Sequence, residues 1–224
     1  MATEKAKIEV YWGSGSPFAW RALLALELKK LSYESRLLEF SKGDVKTPEY
    51  LALNPRGKVP TLRHGDVAVR ESLAILAYLE RAFPQPAIFG ETPAETGRIW
   101  QTIAEFTSYL GGPLDRVVRP LVFGKVAEKA DDIREAAKAA HEEFAVLDRT
   151  LAGSRWLAGA RISAADIAVY PFLKLLLRVA ARDEAKPLDL GFLPFEARYP
   201  KLAGWMKGVE TIPGYARTYP PHWK

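Results

Sequence analysis

A strand pattern passes directly into a helix start at residues 8–21, which read IEVYWGSGSPFAWR. Ile8–Trp12 is apolar and rich in β-forming residues, and from Pro17 to Leu31 large apolar side chains recur at helical spacing. A second short strand is predicted at residues 36–40. A strand–helix–strand unit of this kind favours a parallel pair of strands with a right-handed crossover.

The same alternation continues to residue 83. Thr47 followed by Pro48 predicts the start of a short helix, because threonine caps helix N-termini and proline is tolerated in the first turn. This helix is expected to end before Asn54-Pro55. The pattern then predicts strands at 59–63 and 67–70, around a turn at 64–66, and a helix at 72–83. The predicted order is β-α-β-α-β-β-α, a parallel pair completed by an antiparallel hairpin.

The chain changes character after the proline-broken segment Pro84-Gln85-Pro86, and no further strand pattern follows. Helices are predicted from Pro93 to about residue 109, with an interruption or bend at Gly111-Gly112-Pro113, then along residues 133–151, from Ser163 and from about Pro200. We therefore predict an α/β domain followed by an all-α domain. Their bounds are 1–84 for the α/β domain, 85–92 for the linker and 93–224 for the all-helical domain.

Composition narrows the possible functions. The chain has no cysteine, so any thiol chemistry must use a thiol that a ligand supplies. The net charge of +5 is spread over both halves of the chain, so nucleic-acid binding is not expected. No apolar stretch approaches the roughly 20 residues that cross a bilayer, and residues 1–7 carry no export signal, which predicts a cytoplasmic protein without a membrane segment. His64, His141 and His222 are scattered and expected to be ordinary surface residues, so no metal site is predicted.

Ser16 stands at the start of the first predicted helix, with Pro17 in its first turn. This is a favourable helix start whatever the function. A helix N-terminus also presents unpaired backbone N–H groups and the positive end of the helix dipole, so a thiolate bound there would be stabilised.

The segment Ser16-Pro17-Phe18-Ala19-Trp20-Arg21 resembles the active-site motif of serine-type glutathione transferases, particularly of the tau and zeta classes. The resemblance implies that the Ser16 hydroxyl donates a hydrogen bond to the thiolate of glutathione and is not a covalent nucleophile. Ser14, two residues upstream in a glycine-flanked turn, is the alternative donor.

Two further segments carry the resemblance. The run NPRGKVPTL at residues 54–62 resembles the cis-proline loop of thioredoxin-like proteins, which implies that Val59 and Pro60 bind the cysteinyl part of glutathione as an added strand. Lys58 would then lie near the glycyl carboxylate. In the pair Glu71-Ser72 the serine is a competent helix N-cap. The family implies that this serine binds the γ-glutamyl carboxylate and that the glutamate pairs with the ammonium group.

A capping box is predicted at Ser163 and Asp166, with apolar staple residues at Ile162 and Ile167. Glutathione transferases carry such a box in the same part of their helical domain. The resemblance therefore covers about residues 7–217 and implies a thioredoxin-like N-terminal domain and a homodimer.

The resemblance implies two substrates, glutathione and a small electrophile or peroxide. Tyr109, Arg116 and Arg119 lie on a helix that overhangs the active site in the family, and they are candidates for the second-substrate pocket, although a charged helix face with one aromatic explains them equally well. One alternative is a non-catalytic interaction or regulatory module of the same fold. Another is a glutathione-dependent isomerase, although Pro17-Phe18-Ala19 stands where zeta-class isomerases carry Ser-Cys-Ser.

Overall fold

A computed structural model describes residues 6–223 of the chain. They form two compact units, one made of residues 6–89 together with 211–223, the other of Gly90–Glu210. The sequence-based boundaries placed everything from residue 93 onward in the helical domain, whereas the segment after residue 210 packs with the first unit. The expectation about an export signal rests on residues 1–7, of which 1–5 lie outside the described residues.

The first unit contains a four-stranded mixed sheet in the order β2-β1-β3-β4. β1 pairs in parallel with β2 and antiparallel with β3, which pairs antiparallel with β4. The strands are β1 (Ile8–Trp12), β2 (Glu34–Leu37), β3 (Thr61–His64) and β4 (Val67–Arg70), and the first three helices are α1 (Pro17–Leu28), α2 (Pro48–Leu53) and α3 (Ser72–Ala82). The predicted element order and the thioredoxin-like fold are confirmed.

The second strand differs from its prediction at residues 36–40. β2 begins at Glu34 and ends at Leu37, and Phe40 already belongs to a 3-10 turn. Its partner β1 ends at Trp12, whose carbonyl accepts a last bond from the N–H of Leu38. Without a neighbour beyond that point, the strand cannot continue.

Helix α1 is enclosed on nearly all sides, and every residue from Ala19 to Glu27 is buried. It packs against β1 and α3, and its remaining face is covered by the tail segment that contains α10 (Tyr215–Thr218). A helix enclosed in this way is mostly apolar, and in its sequence PFAWRALLALEL the buried stretch is apolar except for Arg21 and Glu27.

Trp20 and Glu27, two turns apart on α1, hold the tail. The Trp20 indole N–H donates to the Thr218 hydroxyl at 2.8 Å. Its ring also contacts three tail aromatics at centroid distances of 5.5–6.0 Å, namely Tyr215, Tyr219 and Trp223. The Glu27 carboxylate, 3% exposed, receives two hydrogen bonds from the Arg217 guanidinium, at 3.1 and 2.5 Å. Aromatic packing and one half-buried ion pair therefore fix the tail to α1.

Lys29, at the end of α1, lies in the interior of the first unit. Its fully buried ammonium donates to the carbonyl oxygens of Phe83 and Pro86, at 2.7 and 2.9 Å, and pairs with the Glu80 carboxylate at 2.7 Å. The same carboxylate accepts hydrogen bonds from the backbone N–H groups of residues 88 and 89. Lys29 therefore holds the segment after α3 in place through these contacts.

The second unit is helical apart from one isolated bridge between Trp156 and Gly159. Its helices are α4 (Pro93–Glu105), α5 (Gly111–Phe123), α6 (Ala130–Thr150), α7 (Ala164–Ala180), α8 (Phe195–Arg198) and α9 (Pro200–Val209). None of the helices in residues 6–223 has the length and apolar character needed to cross a bilayer.

The predicted interruption at Gly111-Gly112-Pro113 is accommodated inside a continuous helical run. A π-helical turn, Phe106–Leu110, joins α4 to α5, and the N–H of Gly111 bonds to the carbonyl of Phe106, five residues back. Pro113 has no N–H to offer the carbonyl four residues before it, so regular α-helical bonding cannot pass this point. A Cβ atom at position 111 would stand 3.3 Å from the Phe106 carbonyl oxygen, a close approach that glycine relieves.

The predicted capping box is present at the start of α7. The Ser163 side chain accepts from the backbone of the first turn, and Asp166 accepts from the Ser163 N–H at 2.8 Å. The fully buried Asp166 carboxylate also accepts from the N–H of Leu157 and the indole N–H of Trp205, at 2.9 and 2.8 Å. Burial raises the pKa of Asp166, and these hydrogen bonds oppose the increase. The box therefore also ties α9 to the start of α7.

The expectation of three surface histidines is wrong for His64, which is 1% exposed. Its Nδ1 lies 2.9 Å from the Tyr78 hydroxyl, and its ring packs against Phe83. His141 is half-buried between Tyr199 and the loop that follows residue 188. Within residues 6–223, no three side chains of the metal-binding types come together as a potential ion site.

Candidate active site

Strand register brings the three predicted glutathione-binding segments to one edge of the sheet. Tyr11, near the end of β1, pairs with Thr61 at the start of β3, and Thr61 pairs with Arg70 at the end of β4. The segments that leave β1, enter β3 and leave β4 are therefore neighbours. They carry Ser16, the Lys58-to-Pro60 loop and the Glu71-Ser72 pair, respectively.

A tight turn places Ser16 at the N-terminus of α1. The Ser16 N–H donates to the Gly13 carbonyl at 3.1 Å, and Gly15 has φ +82° at the third position of the turn, as a type II turn requires. Ser16 is the N-cap of α1, and its Oγ accepts from the Ala19 N–H at 3.3 Å. Since the hydroxyl is used as an acceptor in this bond, its own proton remains for another partner, and none is present among the described residues.

Ser14 is engaged differently. Its Oγ lies 2.6 Å from Nδ1 of His222, a residue of the tail. The two candidate serines of this loop thus differ in partner: Ser16 caps a helix, and Ser14 contacts an imidazole.

The Val59–Pro60 peptide bond is cis, as the motif predicts. The carbonyl of the preceding Lys58 accepts from the Tyr50 hydroxyl at 2.5 Å and from the Asn54 amide at 2.7 Å. Burial raises the pKa of Tyr50, which keeps this hydroxyl protonated as a donor. The network therefore fixes the backbone just before the cis bond.

Two residues of this loop, Lys58 and Val59, have polar groups available to a ligand. The backbone N–H and carbonyl of Val59 have no hydrogen-bond partner within residues 6–223. The side chain of Lys58 is exposed, and none of the described carboxylates pairs with it. An extended peptide could add to Val59 as a strand, with its own terminal carboxylate toward a cation.

Helix α3 begins one residue earlier than a Ser72 N-cap would require. Glu71 is the N-cap and Ser72 the first helical residue, so the predicted capping role of Ser72 is wrong. Glu71 has φ +67°, a conformation that non-glycine residues rarely adopt and that clusters at functional sites. Its exposed carboxylate has no ion-pair partner among the described residues.

Arg21 is a site residue to which the sequence motif assigned no role. The side chain is buried, and its guanidinium donates to the Ser72 hydroxyl at 3.3 Å. It also lies over the Phe18 ring at 5.5 Å. Burial lowers the pKa of Arg21 to about 9, which leaves it cationic at neutral pH. A buried positive charge therefore sits under the N-terminus of α3, where an anion would be attracted.

The three residues predicted for a second-substrate pocket do not share one site within the helical unit. Arg116 and Arg119 line a surface pocket of about 630 Å³ on α5, and Tyr109 does not line it. Arg116 pairs with Asp132 through two hydrogen bonds, at 2.9 and 2.5 Å, and Arg119 lies over the Phe123 ring. Tyr109, on the π-helical turn, is 61% exposed.

Comparison with known proteins places both units in one family. Residues 15–82 match the model of the glutathione S-transferase N-terminal domain, and residues 130–208 match that of the C-terminal domain. Glutathione S-transferase 1 of Dianthus caryophyllus is 33% identical over 175 residues, which cover 76% of this chain and 77% of the relative. Glutathione S-transferase 4 of Zea mays is 31% identical over 216 residues, or 95% and 91% of the two chains.

A solved structure agrees with these relatives. The crystal structure of a glutathione S-transferase from the Antarctic clam Laternula elliptica is 31% identical to this chain. It superimposes with a TM-score of 0.81 over 97% of this chain and 94% of the clam protein. From the fold, both domain matches and these relatives, the chain belongs to the glutathione S-transferase family.

Proposed function

We propose that this protein is a glutathione transferase that ionises the thiol of glutathione at the N-terminus of α1 and delivers the thiolate to an electrophilic carbon or a peroxide. The observation that carries the proposal is the convergence of three polar segments on one sheet edge, set by the pairing of Tyr11, Thr61 and Arg70. Each segment offers the chemistry that one part of the tripeptide needs.

Glutathione binds along this edge with its γ-glutamyl end at α3. Its α-carboxylate accepts from Ser72 and the N-terminal N–H groups of α3, above the buried Arg21 cation, and its ammonium pairs with Glu71. The cysteinyl part bonds to the unpaired backbone groups of Val59, and the glycyl carboxylate lies near Lys58. This placement points the thiol toward the N-terminus of α1.

The Ser16 hydroxyl donates a hydrogen bond to the thiolate. Lowering a thiol pKa from about 8.5 to roughly 6.5 requires about 2.7 kcal/mol and converts most of the thiol to thiolate at neutral pH. One hydrogen bond to a charged acceptor supplies about 1.5–3 kcal/mol, and a helix N-terminus adds about 0.3–2 kcal/mol. These two effects account for the ionisation, and the rate gain follows from thiolate concentration and positioning.

The protein works as a cytoplasmic homodimer on small electrophiles, and of the three candidates Tyr109, Arg116 and Arg119 we assign Tyr109 as the side chain that meets the second substrate. The exposed Tyr109 ring supplies an apolar surface. Arg116 and Arg119 line a separate pocket, in which the Asp132 carboxylate pairs with Arg116. No specific observation favours the interaction-module or isomerase alternatives.

The test is a pH titration of the thiolate absorbance of bound glutathione, in the unaltered protein and in Ser16→Ala. We expect a lowered thiol pKa in the unaltered protein and loss of most of that shift in the variant. Ser16→Gly is the second variant, because glycine replaces an N-cap serine at a cost of only a few tenths of a kcal/mol and separates thiol activation from helix capping. Ser41→Ala, an exposed serine of the same unit, is the matched control.

Two outcomes contradict the assignment. If the unaltered protein binds glutathione with an unshifted thiol, it does not activate the thiol and the interaction-module alternative gains. If Ser14→Ala removes the shift while Ser16→Ala and Ser16→Gly retain it, the thiol donor is Ser14.

A further inference from the structure

The tail of the chain reaches the loop that carries the candidate serines. Residues Pro221–Trp223 form a 3-10 turn, and His222 Nδ1 lies 2.6 Å from the Ser14 hydroxyl oxygen. A Cβ atom on Gly15 would lie 2.8 Å from Cε1 of the same imidazole. The loop and the ring are therefore in close contact, and only glycine at position 15 leaves the space.

A second contact fixes which nitrogen of His222 carries the proton. The indole N–H of Trp223 donates to His222 Nε2 at 2.9 Å. Since an indole N–H can only donate, Nε2 must offer a lone pair. In the neutral imidazole the proton then resides on Nδ1, which donates to Ser14.

This arrangement determines what Ser14 can do. Because the Ser14 oxygen accepts a hydrogen bond from the imidazole, the O–H of Ser14 points away from His222. Ser14 is only partly buried, so a ligand can reach this O–H group. The same tautomer excludes His222 as a general base for Ser14, since a nitrogen that carries a proton cannot remove one. The Ser14–His222 pair is therefore not a nucleophilic dyad.

We propose that His222 is a positioning residue that presents the Ser14 hydroxyl as a second hydrogen-bond donor to the thiol of bound glutathione. The inference rests on the proposed function, in which Ser16 is the main donor. On this proposal the tail contributes to the site that binds the thiol of glutathione, and Trp20 and Glu27 hold the tail on α1.

The experiment is the same thiolate titration with bound glutathione, applied to His222→Ala, His222→Asn, Ser14→Ala and the double variant Ser14→Ala/His222→Ala. We expect Ser14→Ala to raise the pKa of the bound thiol by about one unit, and His222→Ala by about half a unit or more. His222→Asn places an amide N–H near the position of Nδ1 and should restore most of the shift. In the Ser14→Ala background, His222→Ala should add nothing, because its effect passes through that hydroxyl.

Glutathione affinity and thermal unfolding of each variant are measured alongside. Recovery of the thiol pKa shift in His222→Asn would show that His222 acts by orienting Ser14 and not by stabilising the fold. Two results overturn the inference while the proposed function stands: an unchanged thiol pKa in His222→Ala, or an equal increase with and without the Ser14 hydroxyl. If the unaltered protein binds glutathione without lowering its thiol pKa, the proposed function fails and the inference falls with it.

Discussion

Replacing Lys29 by methionine should destabilise the first unit by about 3 kcal/mol. Methionine keeps the length of the buried stem but removes an ammonium that makes one ion pair and two carbonyl bonds, all between 2.7 and 2.9 Å. Breaking a buried ion pair costs about 3–5 kcal/mol because the other charge stays buried without its partner. The lower end applies because Glu80 keeps its bonds from the N–H groups of residues 88 and 89 and is 16% exposed.

The assay is urea unfolding followed by tryptophan fluorescence and circular dichroism, with the free energy extrapolated to water. Lys30→Met is the matched control: the adjacent lysine is exposed, so its change should stay within about 0.5 kcal/mol. In the Glu80→Gln background the loss of stability caused by Lys29→Met should be smaller, because no carboxylate is then left buried without its cation. A loss below about 1 kcal/mol for Lys29→Met, or one equal to that of Lys30→Met, would refute the reasoning.

Three further results are expected. Asp166→Ala should lower the free energy of unfolding by about 3 kcal/mol or more in urea titrations, because it leaves buried backbone and indole N–H groups without an acceptor. Burial lowers the pKa of His141, so the unfolded chain binds a proton more readily than the folded protein does. The free energy of unfolding should therefore fall as the pH decreases below about 6.5, and His141→Gln should reduce that pH dependence in calorimetry. Gly214→Ala should release the tail to limited proteolysis, because its Cβ would collide with Glu27 at φ +85°, whereas Gly204→Ala, on an exposed helix face, should stabilise by about 0.5–1 kcal/mol.

Features set by neighbours in the sequence could be predicted. The helix start at Ser16, the cap at Thr47 and the box at Ser163 and Asp166 each depend on residues within four positions, and the structure contains all of them. The order of strands and helices along the chain was equally accessible, because the period of the apolar residues distinguishes strands from helices.

Features set by distant partners could not be predicted. Arg21 contacts Ser72, 51 residues away in the sequence, and Lys29 contacts Phe83, 54 residues away. The residues next to each cation in the sequence therefore give no sign that its side chain is buried. The tail was assigned to the helical domain for the same reason: its aromatic side chains fit either unit until Trp20 is seen to contact them. The capping error at Ser72 had a different cause, since Glu71 takes a left-handed backbone conformation that no residue preference suggests.

The division of the first unit between residues 6–89 and 211–223 has a consequence for synthesis. A ribosome makes the sheet and α1 early, yet the aromatic cover of Trp20 is translated only after the whole helical unit. During that interval the nascent α/β unit lacks the aromatic cover of Trp20 and the Arg217 partner of Glu27. Domains generally fold from the N-terminus as they emerge, but here the first unit to be made is the last to be completed.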